Sequence, residues 1–288
     1  MSASLVSVKT ALEYANSEPL QTASLCSEKE LRIRRCPSPM IDEIYATGKI
    51  WKLDGSQAPL NVFIPREEGD YLYSLVRELR PERTLEVGMA NGLSTLFIAQ
   101  ALLDNGAGHH MAVDPFQRSD WHGAGLAIIH RAGLESLVTL IELPSHQALP
   151  ELERQGVAID FAFVDGSHQF DYVVSDFLCI DRILRIGGLI AFDDSDWPAI
   201  IKALRFVLSN RRYEVAYPDV VIEQAKYNPG LLSRSLRYLS RHSAGLRRAL
   251  CPAFVRPSFE IGIRGRCVVL RKLAADDRDS QASSMLPF

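Results

Sequence analysis

Between residues 65 and 209 the chain alternates short apolar runs with helix-spaced segments, and this rhythm leaves few folds open. Apolar strands read at 84–88, 111–114, 138–143, 161–165 and 189–193. Helical spacing fills the intervals at 92–103, 123–132, 147–155 and 170–184, with further helices at 67–79 and 197–209. In the first of these, Tyr71, Leu72, Leu75 and Leu79 share one face and Pro81 stops the helix. Short apolar strands separated by helices imply βαβ units, a parallel sheet and right-handed crossovers that place helices on both faces. The expected fold class is α/β, with a doubly wound sheet.

The two ends break the rhythm. Residues 1–65 show weak periodicity, with short helices expected at 6–16 and 38–47 and breaks at Pro37, Pro39 and Gly55. Two late strands read at 213–217 and 267–273, separated by a basic, Leu-rich helical stretch over 231–250. The expected organisation is an N-terminal arm (1–65), a core (66–217), a basic helical insertion (218–266), a final strand (267–273) and a polar tail (274–288). The 288 residues are 47% hydrophobic and 23% charged, enough for a sizeable core. A net charge of −3 gives no general bias toward nucleic acid. No apolar run reaches the roughly 20 residues of a membrane span, and residues 1–10 lack the features of a secretory signal. The five cysteines, Cys26, Cys36, Cys179, Cys251 and Cys267, include no CxxC pair. They read as free thiols in a reducing compartment, so a cytoplasmic location is expected.

Residues 84–95, Thr-Leu-Glu-Val-Gly-Met-Ala-Asn-Gly-Leu-Ser-Thr, run from strand through loop to helix. Gly88 and Gly92 let the backbone turn and approach a ligand, and the following helix directs free N–H groups at it. Glu86 can accept hydrogen bonds from an ammonium group. The dinucleotide fingerprint requires Gly-x-Gly-x-x-Gly, a spacing that Gly88, Ala90 and Gly92 miss. A cofactor with an amino-acid tail, a ribose and an adenine fits better. Asp114, closing the second strand ahead of Pro115, can hold two ribose hydroxyls. The competing reading makes Glu86 and Asp114 helix-capping acids.

Glu86, Gly88, Gly92 and Ser94, spaced Glu-x-Gly-x-x-x-Gly-x-Ser, resemble the first motif of class I S-adenosylmethionine-dependent methyltransferases. The likeness spans about residues 65–209 and leans toward the catechol-type and macrolide-sugar O-methyltransferases. It implies a Rossmann-like, seven-stranded, mostly parallel sheet whose last strand is antiparallel. It also implies that Glu86, Gly88, Met89, Ala90, Gly92 and Ser94 surround the methionine part of the cofactor. Asp114 and Pro115 would flank the ribose, and Ser145 and His146, after the third strand, the adenine.

A second constellation begins at Asp165, which ends the fourth strand and would face the cofactor loop. The fifth strand ends in Asp193, Asp194 and Asp196. Crowded carboxylates repel in a low-dielectric cleft unless a cation is present, and oxygen donors suit Mg²⁺ or Mn²⁺. Asp165, Asp193 and Asp194 are therefore the expected metal ligands, matching where the resembled metal-dependent enzymes carry theirs. Adjacent strand residues point to opposite faces, so Asp193 and Asp194 can share one ion only where the strand has begun to turn. Asp196 reads as a helix N-cap before Trp197 and Pro198. The plainer alternative makes all three acids caps or solvated loop residues. His168 can remove a hydroxyl proton near neutral pH; a histidine resembling it occupies this place in the sugar-modifying branch and a lysine in the catechol branch. The plainer alternative is that it caps or orients the helix near Phe170.

These readings converge on O-methylation of a small-molecule hydroxyl (sugar, phenol or polyketide), assisted by a divalent ion, with Asp165 and His168 in the chemistry. The acceptor is expected to be acidic or carrier-linked, since residues 231–272 are strongly basic; a solvated face or contact with anionic lipid explains the same charge. Neither nucleic acid nor a transmembrane segment is expected, and the arm is a candidate for homodimer contacts. A nicotinamide-dependent oxidoreductase and a non-catalytic cofactor-binding protein remain as alternatives.

Overall fold

The structure is a computed structural model, and it describes residues 31–222 and 258–276. The expected helices at 6–16 and 231–250, with most of the basic stretch, lie outside the described residues. Parallel strands β3 (Arg83–Val87), β4 (His109–Val113), β5 (Val138–Ile141), β6 (Ile159–Val164) and β7 (Leu184–Phe192) form the core of a seven-stranded sheet. β8 (Tyr213–Val215) and β9 (Val268–Lys272) complete it in the order β5-β4-β3-β6-β7-β9-β8, with β9 antiparallel to both neighbours. Helices α2 (Arg66–Leu79), α3 (Leu93–Asn105) and α4 (Ala124–Arg131) cover one face, and α5 (Ser145–Arg154), α6 (Phe170–Ile183) and α7 (Pro198–Asn210) the other. This is the doubly wound α/β sheet expected from the sequence.

The strands read as unbroken apolar runs because both faces are covered. Phe161 and Phe163 of β6, with Leu189 and Ala191 of β7, pack toward α2 and α3. Ala162, Val164, Ile190 and Phe192 pack toward α6 and α7. The alternation is the period-two geometry of a strand, and each large side chain removed from water contributes roughly 1.5–3 kcal/mol. Helices α2 and α3 meet at Gly69, where a Cβ would lie 2.1 Å from the Phe97 ring.

The N-terminal segment departs from its sequence reading. Helix α1 (Pro39–Thr47) forms where expected, but β1 (Lys49–Trp51) and β2 (Gln57–Pro59) pair as an antiparallel hairpin around Gly55. Ile41, Ile44, Ile50, Trp51 and Ile64 share the core packed by α2 and α3. Residues 31–65 thus belong to the packed body, and the Arg131 guanidinium lies 4.3 Å over the Trp51 ring.

Parallel register aligns the strand ends. Val87 is level with Val113 and Val164, and Val164 with Phe192. The next residues along, Gly88, Asp114, Asp165 and Asp193, therefore emerge side by side. The crossover reverses between β3 and β6, and ligands of open α/β sheets gather outside such a reversal.

Candidate active site

Gly88 (φ +94°), Ala90 (φ +45°) and Gly92 (φ +80°) all adopt left-handed backbone. A Cβ on Gly88 would lie 2.1 Å from the Asp165 carbonyl oxygen, and one on Gly92 2.7 Å from the Gly125 Cα. Both positions thus require glycine for conformation and for space.

Asp114 is buried and holds this loop. Its Oδ2 accepts from the backbone N–H of Met89 (3.1 Å) and Ala90 (2.8 Å), and its Oδ1 from that of Phe116 (2.8 Å). Gln117 Nε2 donates to the Ala90 carbonyl at 2.6 Å and approaches Asp114 Oδ2 at 3.3 Å. The oxygens expected to face a ribose thus bind the protein's own backbone.

Glu86 is fully buried between Leu85 and Val87, whose side chains take the opposite face. Its carboxylate accepts a hydrogen bond from Thr95 Oγ1 on α3 and lies 3.4 Å from His110 Nε2. The other side of the His110 ring meets Thr84 Oγ1 at 2.8 Å. The structure thus directs Glu86 into the layer beneath the loop, where the sequence reading had it receiving an ammonium group.

A cleft joins the loop to the acidic strand ends. Met89, Ala90, Asn91 and Ser94 line one side, Asp165, His168, Asp193, Asp194 and Arg266 the other, and Val62, Phe63 and Ile64 its rim. Glu86, Gly88, Gly92, Asp114, Pro115, Ser145 and His146 stand outside that lining. Ser145 opens α5 half-buried, and His146 is exposed. Ser145 hydrogen-bonds the buried Asp176 of α6, whose carboxyl is pushed up to about 6 chiefly by burial.

The strand has turned by Asp194, whose φ is +47°. Asp194 Oδ2 lies 2.7 Å from His168 Nε2, which is 3.7 Å from Asp165 Oδ1. Asp165, His168 and Asp194 each offer one ligand atom, all within 4.8 Å of one another. This grouping differs from the expected Asp165, Asp193 and Asp194. Asp193 faces Arg266 instead, with Nε 3.0 Å from its Oδ1 and Nη2 3.1 Å from its Oδ2. The indole of Trp197 lies 4.8 Å from the His168 ring, and Trp197 caps α7 in the place expected for Asp196.

The cluster is electrostatically loaded. Burial, and then Asp193 and Glu68, push the Asp165 carboxyl well above the usual range. Burial and Asp193 do the same to Glu68, which is fully enclosed. The hydrogen bond to Asp194 raises the His168 imidazole. Glu68 and Arg266 were not singled out as site residues by the sequence, since neither belongs to a strand-end motif.

The sequence profile described as "Methyltransferase domain" matches residues 85–195. Caffeoyl-CoA O-methyltransferase 1 of Nicotiana tabacum is 31% identical over 196 residues, covering 67% of this chain and 76% of that protein. The flavonoid 3',5'-methyltransferase of Vitis vinifera is 30% identical over 46% of this chain and 56% of its own length. The chain spans little more than half the length of some curated relatives, 55% for one from Arabidopsis thaliana. Among solved structures, the O-methyltransferase from Bacillus cereus in complex with SAH has the same fold, with TM-score 0.50 and 18% identity over 62% of this chain and 82% of that one. Cofactor-bound Rv0187 from MTB gives TM-score 0.51 and 19% identity at the same coverages of 62% and 82%. Matched in sequence across its glycine loop and acidic strand ends, and in fold across the sheet, the chain belongs to the class I S-adenosylmethionine-dependent O-methyltransferases of the caffeoyl-CoA type.

Proposed function

We propose that this protein transfers the methyl group of S-adenosylmethionine to a hydroxyl oxygen of a small molecule. The observation that carries the reading is the single cleft lined by Met89, Ala90 and Ser94 on one side and by Asp165, His168 and Asp194 on the other. The loop residues hold the cofactor's methionine end, and the N-terminus of α3 adds free N–H groups. Ser145 and His146 flank the adenine, and Asp114 and Pro115 carry the loop beside the ribose.

The donors fit a divalent cation. Two carboxylates and an imidazole converge within 4.8 Å, and Asp193 and Glu68 add to the burial that raises the Asp165 carboxyl. Carboxylate oxygens suit Mg²⁺ or Mn²⁺. Asp165 and Asp194 would hold it, with Asp193 alongside. When bound, such an ion lowers the pKa of an acceptor hydroxyl and fixes its direction.

In the transfer the sulfur–methyl bond breaks as the oxygen–methyl bond forms, leaving S-adenosylhomocysteine. The His168 imidazole takes the hydroxyl proton, and Asp194 stabilises the resulting imidazolium through Nε2. Holding the two reactants in line supplies up to roughly 7–11 kcal/mol of the barrier. The half-exposed Phe63 on the cleft rim, with the half-exposed Trp197 packed against the His168 ring, gives this end of the cleft an aromatic character suited to a phenolic ring. A phenolic acceptor, free or carrier-linked as in the caffeoyl-CoA enzymes, is therefore the leading class, ahead of a sugar or polyketide hydroxyl. No helix among the described residues is long and apolar enough to cross a membrane. Cys36, Cys179 and Cys267 are free thiols, which supports the cytoplasmic reading.

The test is formation of S-adenosylhomocysteine from a panel of catechols, flavonoids, caffeoyl thioesters and sugars, with Mg²⁺ or Mn²⁺ and after exhaustive chelation. Turnover on a hydroxyl acceptor, lost on chelation and restored by the ion, is the expected result. No calorimetric binding of S-adenosylmethionine would refute the whole reading. Full turnover after chelation would refute its metal half.

A further inference from the structure

Two residues in the acidic cluster lie outside residues 85–195, which the methyltransferase-domain profile matches. Glu68 stands on α2 and Arg266 just before β9, 198 positions apart, and they meet with Arg266 Nε 3.0 Å from Glu68 Oε2. The same guanidinium reaches Asp193 at 3.0 Å and Asp194 Oδ1 at 3.1 Å. One permanent cation therefore touches three of the four carboxylates around the cleft.

The arginine is built in. Its backbone N–H donates to the Ile222 carbonyl at 2.8 Å, and its own carbonyl accepts from the Ser195 N–H at 2.6 Å. Glu68 has no solvent exposure, and its Oε1 is buried without a hydrogen-bond partner. A buried carboxylate so placed holds the guanidinium against the strand ends.

We propose that Arg266, braced by Glu68, is a fixed counter-cation of the metal site that weakens its hold on a divalent ion. The inference rests on the metal-assisted reading above. It assigns Arg266 a positioning and charge-setting role through Asp193 and Asp194. The guanidinium repels a divalent ion a few ångströms away, so its charge opposes binding even while its hydrogen bonds order the ligands. A purely structural arginine would act in the opposite sense, because its removal would disorder Asp193 and Asp194 and weaken the ion.

The sign of the change in affinity is the test. Mn²⁺ alone is titrated into the full chain, with free Mn²⁺ followed by electron paramagnetic resonance and folding by thermal melts. Arg266→Gln is expected to tighten Mn²⁺ binding about tenfold or more, and Arg266→Lys to stay within about threefold of the parent. Should Arg266→Gln fail to fold, the charge-balanced Glu68→Gln/Arg266→Gln protein serves, with affinity expected within about threefold of the parent. Unchanged or weaker binding by Arg266→Gln, or a loss beyond about tenfold in the double variant, would overturn the proposal. A parent protein that binds no Mn²⁺ would overturn the metal reading as well, whereas a wrong sign at Arg266 leaves that reading standing.

Discussion

A Cβ added to Gly88 would lie 2.1 Å from the carbonyl oxygen of Asp165. The cofactor loop and the first acid of the cleft are thus in backbone contact, and the left-handed φ of Gly88 makes any side chain strained as well. Gly88→Ala should destabilise the protein by about 2–4 kcal/mol and abolish cofactor binding. Urea unfolding and calorimetry with S-adenosylhomocysteine measure the two effects. A variant with native stability and affinity would show that this contact relaxes without cost.

His168 separates chemistry from binding. Its substitution by alanine should lower kcat by about 10²–10⁴, while S-adenosylhomocysteine affinity stays within a few-fold. The ring lies against Asp194 and Trp197, not against the glycine loop. Normal kcat in His168→Ala would remove it from the proton transfer.

Asp114 should reveal itself without any ligand. Its two oxygens accept three backbone N–H groups of the loop and its exit. Asp114→Ala leaves those donors unpaired and should cost the cofactor-free protein about 2–3 kcal/mol, in addition to weakening cofactor binding. If thermal melts of the cofactor-free variant match the parent, Asp114 contacts the ribose without organising the loop.

Asp176 gives a pH signature. Its carboxyl rises from 3.8 to about 6 in the folded protein, mainly through burial beside the Ser145 hydrogen bond. The folded state then holds the proton more tightly than the unfolded state, so stability falls as pH climbs from about 4 to about 6 and levels off above. Asp176→Asn removes this slope, with a gain over the parent at pH 7 of at most about 2–3 kcal/mol relative to pH 4. Denaturant unfolding across that range checks it; parallel stability curves would contradict the shift.

What the sequence revealed, it revealed locally. Gly88, Asp114, Asp165 and Asp193 each follow an apolar run, so strand periodicity alone placed them at strand ends, and parallel register brought them together. The direction of Glu86 was also readable in principle. Leu85 and Val87 face α5 and α6, so the residue between them had to face α3. The β1–β2 hairpin was hidden because each strand is three residues long, too short for an alternating pattern to stand out. Arg266 was hidden for a different reason. Its partners are 198 and 73 positions away, and its charge was counted with a basic stretch rather than with the acids it meets.

The Glu68–Arg266 contact also makes the site depend on residues 198 positions apart in the chain. Asp165, Asp193 and Asp194 all precede Arg266 in the chain, so the acids are made before the cation that meets two of them. Sheet neighbour β9 arrives after β8, and the guanidinium enters with it. A fragment ending before residue 258 would hold the residues of the five parallel strands and of the glycine loop but lack Arg266. Asp193 and Asp194 would then stand without the guanidinium that meets them here.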